Sequence, residues 1–276
     1  MNNIVQAMQL PVEKLRPFEG HPFQVKDDAE TDQLVFSILT KGLLTPISVR
    51  PIENGEYEVI SGHRRLHACK KAGIETVPAL IYSLDRDAAT IAMVDSNLHR
   101  EKILPSEKAF AYKMKIEAMG HRGKTCGQVG HKSRDMFSDV DSGRQVQRYI
   151  RLTELIPEIL KMVDDGKIAL TTAVELSYLT KQEQQNLLDT MESEDCTPSL
   201  SQAMQLKKLS QSGLLTMDRI FNLLREPKAN QQDKISFRVD DLRRYFPKSY
   251  SAARIQDTIL KLLSDYQKKR NRDISR

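Results

Sequence analysis

Apolar positions along this chain change their spacing near residue 85: short alternating runs mixed with helical spacing come before it, and almost uninterrupted helical spacing follows. Val35, Phe36, Ile38 and Leu39 recur at helical spacing between Asp32 and Lys41, and Gly42 stands where a helix would close. Ile47–Val49 reads as a strand. Asn54-Gly55 is a hairpin signal, and Glu56–Ile60 then alternates like a half-buried strand. A helix is predicted over 63–72, closing at Gly73. A strand follows over 77–82, with Pro78 placing it near an edge or at a strand start. Strands and helices in this order predict a small α/β domain over residues 1–100.

Beyond it, Asp85 can cap a helix to about Asp95, and Pro105 fits the first turn of another running to about Met119. The stretch 120–142 is rich in Gly, Ser and charge, with poor helix signals. Helices near 153–164, 171–179, 181–191, 199–211 and 216–225 complete an all-α middle domain over 101–225. Glu226–Asp233 is polar and reads as a linker. The last domain, 234–276, is predicted to be small and α/β or helical, with a strand over Ile235–Val239, a helix near 240–245 and a final helix over 251–269. The fold class is therefore α+β. In the final helix Ile255, Ile259, Leu262 and Tyr266 form a two-heptad apolar seam, which suits either packing onto its own domain or a dimer.

Charge sharpens the picture. The net charge is +5, but residues 120–151 hold seven Lys/Arg against three Asp, and residues 268–276 hold five against one, a balance of +4 in each. Clustered cations suit a polyanionic partner, because binding DNA releases its condensed counterions. The tail alone fits a solvated basic end equally well. Cys69, Cys126 and Cys196 stand far apart with no CxxC, so neither a disulfide framework nor a zinc site follows. The first ten residues show no cationic region followed by an apolar stretch, and no apolar run is long enough to span a membrane. A reducing cytoplasm is the expected location.

A helix opening at Ser142 has two faces. Val146, Tyr149, Ile150 and Thr153 form an apolar stripe, while Arg144, Gln147, Arg148 and Arg151 lie opposite, with Gln145 at the edge. That pattern suits a recognition helix: one stripe docks, and Arg and Gln face outward, where Arg can pair with guanine and Gln with adenine. Ser142 and Gln145 have capping-box spacing. Lys132–Val140, thinly apolar, would be the first helix of a helix-turn-helix near 132–152, with the turn at Asp139–Ser142.

Two polar segments carry candidate chemistry. In Val59–Ala68 a strand ends at Ser61, Gly62 makes the turn, and a helix starts with Arg64 and Arg65. Glycine there lets backbone N–H groups approach an anion at the positive helix end, and the arginines add phosphate donors. A surface arginine pair is the plain alternative. His63 and His67 have metal-ligand spacing, but the arginines between them disfavour a metal. In Asp95–Glu101, Asn97 and Arg100 could face phosphates, and Asp95 or Glu101 could hold Mg²⁺ through water. A capped helix–helix loop is the plain alternative. The catalytic residues of any reaction are unknown at this level.

Taken together and in order, these segments resemble the ParB family of plasmid and chromosome partition proteins over roughly residues 8–185. The resemblance is carried by Gly42–Ile47, Tyr57–Ala68, Ala72–Ile74, Val77-Pro78, Asn97–Glu101, Leu104-Pro105, Glu107–Ala109, Gln145–Leu152 and Leu155–Pro157. It implies a sequence-specific DNA clamp that loads at a palindromic site, binds CTP with Mg²⁺, closes at its N-terminal domain and slides. Gly62, Arg64, Arg65, Asn97 and Arg100 match the family's nucleotide motifs, with Mg²⁺ near Asn97. It further implies a homodimer, DNA as partner and a ParA-type ATPase. Three departures qualify it. Ser96 stands where the family often has a glutamate linked to hydrolysis, so at most weak CTPase activity is implied. Thr45 replaces a glutamine, and no Lys or Arg precedes Lys14, where many members carry a basic ParA-stimulating peptide. A nucleoid-occlusion protein or transcriptional regulator of the same architecture is the main rival. A ParB-like nuclease ranks lower. Sulfiredoxin, which shares the N-terminal fold, uses a cysteine before the histidine, where this chain has Gly62.

Overall fold

The computed structural model describes residues 4–100, 102–122, 141–226, 245–247 and 249–274. Two compact units emerge, residues 1–226 and 227–276. The first begins with a five-stranded mixed sheet built from β1 (Ile4–Pro11), β2 (Leu15–Arg16), β3 (Ile47–Pro51), β4 (Tyr57–Ser61) and β5 (Thr76–Tyr82) in the order β1-β5-β3-β4-β2. β1 runs antiparallel to β5 and β3 antiparallel to β4, while β5 with β3 and β2 with β4 are parallel.

Helices α1 (Ala29–Lys41) and α2 (His63–Lys71) pack with the sheet around Leu10, Leu15, Ile38, Ile47, Val49, Val59, Leu66 and Val77. Asp28 caps α1 by accepting the Thr31 N–H at 3.0 Å, and Gly42 closes it at φ 73°. Asn54 and Gly55, both at positive φ, turn the chain between β3 and β4.

Two expectations change. Pro78 lies in β5, an interior strand, as its third residue. The ladder to β3 begins only at Ala79, so beside Pro78 a neighbour is present on the β1 side alone. β4 is not half-buried: Glu58, Val59 and Ile60 are all buried. The carboxylate of Glu58 tolerates this because it accepts hydrogen bonds from the Glu19 N–H at 3.1 Å, Arg50 Nε at 2.7 Å and Arg86 Nη1 at 2.5 Å.

α3 (Arg86–Leu98) follows, capped by Asp85 as expected, then α4 (Pro105–Arg122), α5 (Gly143–Arg151), α6 (Pro157–Asp164), α7 (Leu170–Leu176), α8 (Lys181–Ser193), α9 (Leu200–Gln211) and α10 (Met217–Arg225). Capping boxes at Thr180/Glu183 and Ser199/Gln202 open α8 and α9. One apolar cluster joins α6 to α10 through Ile159, Leu176, Leu187, Leu206 and Ile220. Another brings Phe18, Phe23, Met93, Tyr112 and Val146 together, so loop, α3, α4 and α5 share a core.

In the second unit, α11 spans Ala252–Ile274. Ile255 is buried, whereas Leu260, Leu262, Leu263 and Tyr266 are exposed. The expected strand over 235–239 and helix near 240–245 lie outside the described residues, apart from Tyr245.

Candidate functional site

The turn from β4 into α2 is built around Gly62, whose φ of 105° suits glycine. A side chain there would also meet the Arg65 guanidinium, 3.1 Å from the position of a Cβ. The two arginines that follow diverge. Arg65 turns back: its Nη1 donates to the carbonyls of Thr45 and Pro46, both at 2.7 Å, tying the segment after α1 to α2. Burial lowers its pKa. Arg64 instead lines an open cavity of about 960 Å³.

Arg100, from the segment joining α3 to α4, lines the same cavity, as do Lys26 and Lys102. Its guanidinium lies 5.6 Å from the Phe23 ring centroid. Burial lowers its pKa, Glu107 opposes that shift and Arg64 adds to it. Two guanidinium groups thus share one cavity and repel each other, an arrangement an anion would relieve. Glu107, buried, fixes the walls: Oε1 accepts the Gln24 N–H at 2.8 Å and Oε2 the Leu104 N–H at 3.1 Å.

Of the five residues expected at a nucleotide site, Arg64 and Arg100 therefore meet at the cavity, with Gly62 shaping the turn beside Arg64. Arg65 and Asn97 do not line it. Asn97 is buried, and its Nδ2 donates to the Met93 carbonyl at 2.7 Å within α3. Asp95, a candidate Mg²⁺ holder, is paired with Lys115 Nζ at 2.6 Å, and Glu101 lies outside the described residues. Among the described residues no group of three or more His, Cys, Asp or Glu is arranged to hold a metal.

His63 lies beneath the turn with its ring centroid 3.8 Å from that of His21, and its Nε2 accepts the Phe18 N–H at 3.3 Å. Burial, then the nearby His21 and Arg100, push its pKa down to about 3. It is a neutral core group. His67 shares none of these contacts, and its Nε2 lies 3.8 Å from an Asp27 carboxylate oxygen.

The second candidate surface is α5. Val146 is buried, and Tyr149 and Ile150 pack against the core, while Arg144, Gln147 and Arg148 are exposed. Ser142 accepts the Gln145 N–H at 3.4 Å, and only this half of the expected capping box forms. The helix entry is held by Asp141, which accepts from Tyr112 Oη at 2.6 Å and Lys108 Nζ at 2.9 Å. Arg151 is turned inward: its Nη2 donates to the Ser177 carbonyl at 2.6 Å and its guanidinium sits 4.1 Å from the Tyr178 ring centroid. Arg151→Ala is accordingly expected to cost about 1–2 kcal/mol of stability and to leave the salt dependence of DNA binding unchanged, as checked by urea unfolding beside binding titrations. The expected first helix of the helix-turn-helix, Lys132–Val140, lies outside the described residues.

Sequence reasoning missed Lys26, Lys102 and Glu107 as cavity residues. Lysines near a loop carry no periodic signal, and a glutamate in the first turn of a helix, as Glu107 is in α4, is ordinary at a helix start.

Fold and cavity define a class: a small mixed-sheet α/β domain that presents two arginines, from a strand–helix turn and an interhelical segment, to one open cavity. Residues 1–98 match the ParB N-terminal domain family, and this domain of the chain belongs to that family, as the resemblance to ParB-type partition proteins implied. A nucleoid occlusion protein from Bacillus cereus (strain B4264) is 41% identical over 113 residues, covering 41% of this chain and 39% of that protein. The chain thus spans about two fifths of the length of the curated relatives it matches. Among solved structures, C-terminally truncated chromosome-partitioning protein ParB from Caulobacter crescentus, complexed to the centromeric parS site, is 22% identical with a TM-score of 0.44, over 80% of this chain and all of that one. The same truncated protein complexed with CTP-gamma-S is 26% identical with a TM-score of 0.33, over 62% of this chain and 92% of that one.

Proposed function

We propose that this chain is a DNA-binding protein of the partition type that takes CTP, with Mg²⁺, in the cavity bounded by Arg64 and Arg100 and grips duplex DNA through α5. The convergence of those two arginines on one opening carries the nucleotide reading. Arg64 and Arg100 would hold the phosphates, and Lys26 and Lys102 add charge at the rim. The family of the N-terminal domain supports cytidine as the base. Mg²⁺ would accompany the phosphates, neutralising charge that the arginines leave uncompensated.

The exposed Arg144, Gln147 and Arg148 of α5, on a helix whose opposite stripe is docked, support the DNA reading, with Gln145 at the helix edge. Arg148→Ala is expected to weaken DNA binding and to reduce the slope of log K against log salt by about one. An unchanged slope would remove Arg148 from the interface. The exposed Leu262 and Tyr266 of α11 support a homodimer, which would offer two α5 helices to a palindrome. Sliding along DNA, service of a plasmid, mobile element or chromosome, and a ParA-type ATPase partner belong to the same reading. DNA retention measured with and without CTP tests it: CTP should change the lifetime of the complex on a closed duplex.

A second reading is favoured by the relatives themselves, which are named nucleoid occlusion proteins. Stimulation of a cognate ParA-type ATPase would decide for partition, and its absence alongside inhibition of division would decide for occlusion.

A further inference from the structure

α2 carries a cationic stripe against the acidic start of α1. Arg64, His67 and Lys71 occupy i, i+3 and i+7, one face of the helix. Lys71 Nζ donates to Asp27 at 2.7 Å and Asp32 at 2.8 Å, and His67 Nε2 lies 3.8 Å from Asp27. At the other end, Arg64 Nη2 donates to Glu30 at 3.0 Å and lies 4.0 Å from Asp28. Only this last group, Arg64 with Asp28 and Glu30, lines the cavity.

We infer that Glu30, backed by Asp28, is an internal competitor for the anion that Arg64 receives, and so lowers the affinity of the cavity for a triphosphate. The inference rests on the triphosphate reading above. Glu30 holds Nη2 of the guanidinium that a phosphate would meet. A single exposed carboxylate competes weakly, because such pairs are solvated and screened. A triphosphate carries more charge and meets Arg100 at the same time, so it displaces Glu30, whereas one isolated anion gains little. The Lys71 pairs do not reach the cavity, so α1 stays docked on α2 while Arg64 changes partner.

The test uses the full chain with Glu30→Gln, and Asp32→Asn as a control that removes one charge from the same acidic start of α1, away from the cavity. Two quantities are read at low salt: the rate at which phenylglyoxal modifies Arg64, followed by peptide mass spectrometry, and the dissociation constant for CTP. Glu30→Gln should speed modification of Arg64 and tighten CTP binding about three- to five-fold, the scale of an exposed ion pair. Asp32→Asn should change neither. Unchanged modification and affinity in Glu30→Gln, or equal tightening in Asp32→Asn, overturns the competitor. Absence of CTP binding in every variant, with Arg64 modification still faster in Glu30→Gln, overturns the triphosphate reading instead, and the competitor falls with it.

Discussion

Arg64→Ala is expected to weaken CTP binding at least ten- to a hundred-fold while leaving the first encounter with DNA intact. Charge-assisted hydrogen bonds from a guanidinium to phosphate contribute about 1.5–3 kcal/mol, and each 1.4 kcal/mol is about tenfold in affinity. The side chain is part-exposed at the cavity edge and, among the described residues, ties to Glu30 and Asp28, so its loss removes a ligand rather than a support of the fold. α5 is a separate element whose stability rests on Val146 and on Asp141 with Tyr112 and Lys108. Calorimetry with CTP and equilibrium DNA titration should therefore separate in this variant. Parallel loss of both would show that the two sites are not distinct.

Glu58→Ala should be the most destabilising single change among those considered, by about 2–3 kcal/mol, because it strands part-buried donors that now share one carboxylate. Glu58 is 4% exposed, and its acceptors tie together β4, β3 through Arg50, the loop through the Glu19 N–H, and α3 through Arg86. Urea unfolding monitored by circular dichroism measures the loss. Burial alone would raise the Glu58 pKa, but the Glu19 N–H, Arg50 and Arg86 outweigh it and hold the carboxyl below its ordinary 4.5. A depressed carboxyl contributes stability that is fully present above pH 4.5 and is lost as pH falls through the lower folded value. The acid limb of the stability curve should be shallower in Glu58→Gln than in the unaltered protein.

The same residue shows where pattern reading stopped. Alternation in Glu56–Ile60 placed Glu58 on a solvated face, since one strand says nothing of the arginines that neighbouring elements bring to it. β1 was invisible for the opposite reason. Gln6, Ala7, Met8 and Gln9 are all exposed, so its pairing with β5 rests on backbone hydrogen bonds that leave no hydrophobic period. Helices with caps were legible: Asp85, Gly42, Gly73 and Pro105 marked ends that the fold uses, because local backbone chemistry sets them. At the sites, residue types were legible and partners were not. Arg64 and Arg65 are adjacent and chemically equal, yet one faces the cavity and the other holds two carbonyls. Likewise Arg148 is exposed on α5 while Arg151 stacks on Tyr178. Rotation about a helix separates such neighbours, but only the packed surroundings say which is engaged.

Calorimetric titration of the purified full chain with CTP, beside ATP, GTP and UTP, bears most directly on the central claim that Arg64 and Arg100 form a triphosphate site. Saturable binding of CTP in preference to the other three is expected, weakened at least ten-fold in Arg64→Ala. Heats indistinguishable from dilution for all four nucleotides, with Mg²⁺ present, would contradict it.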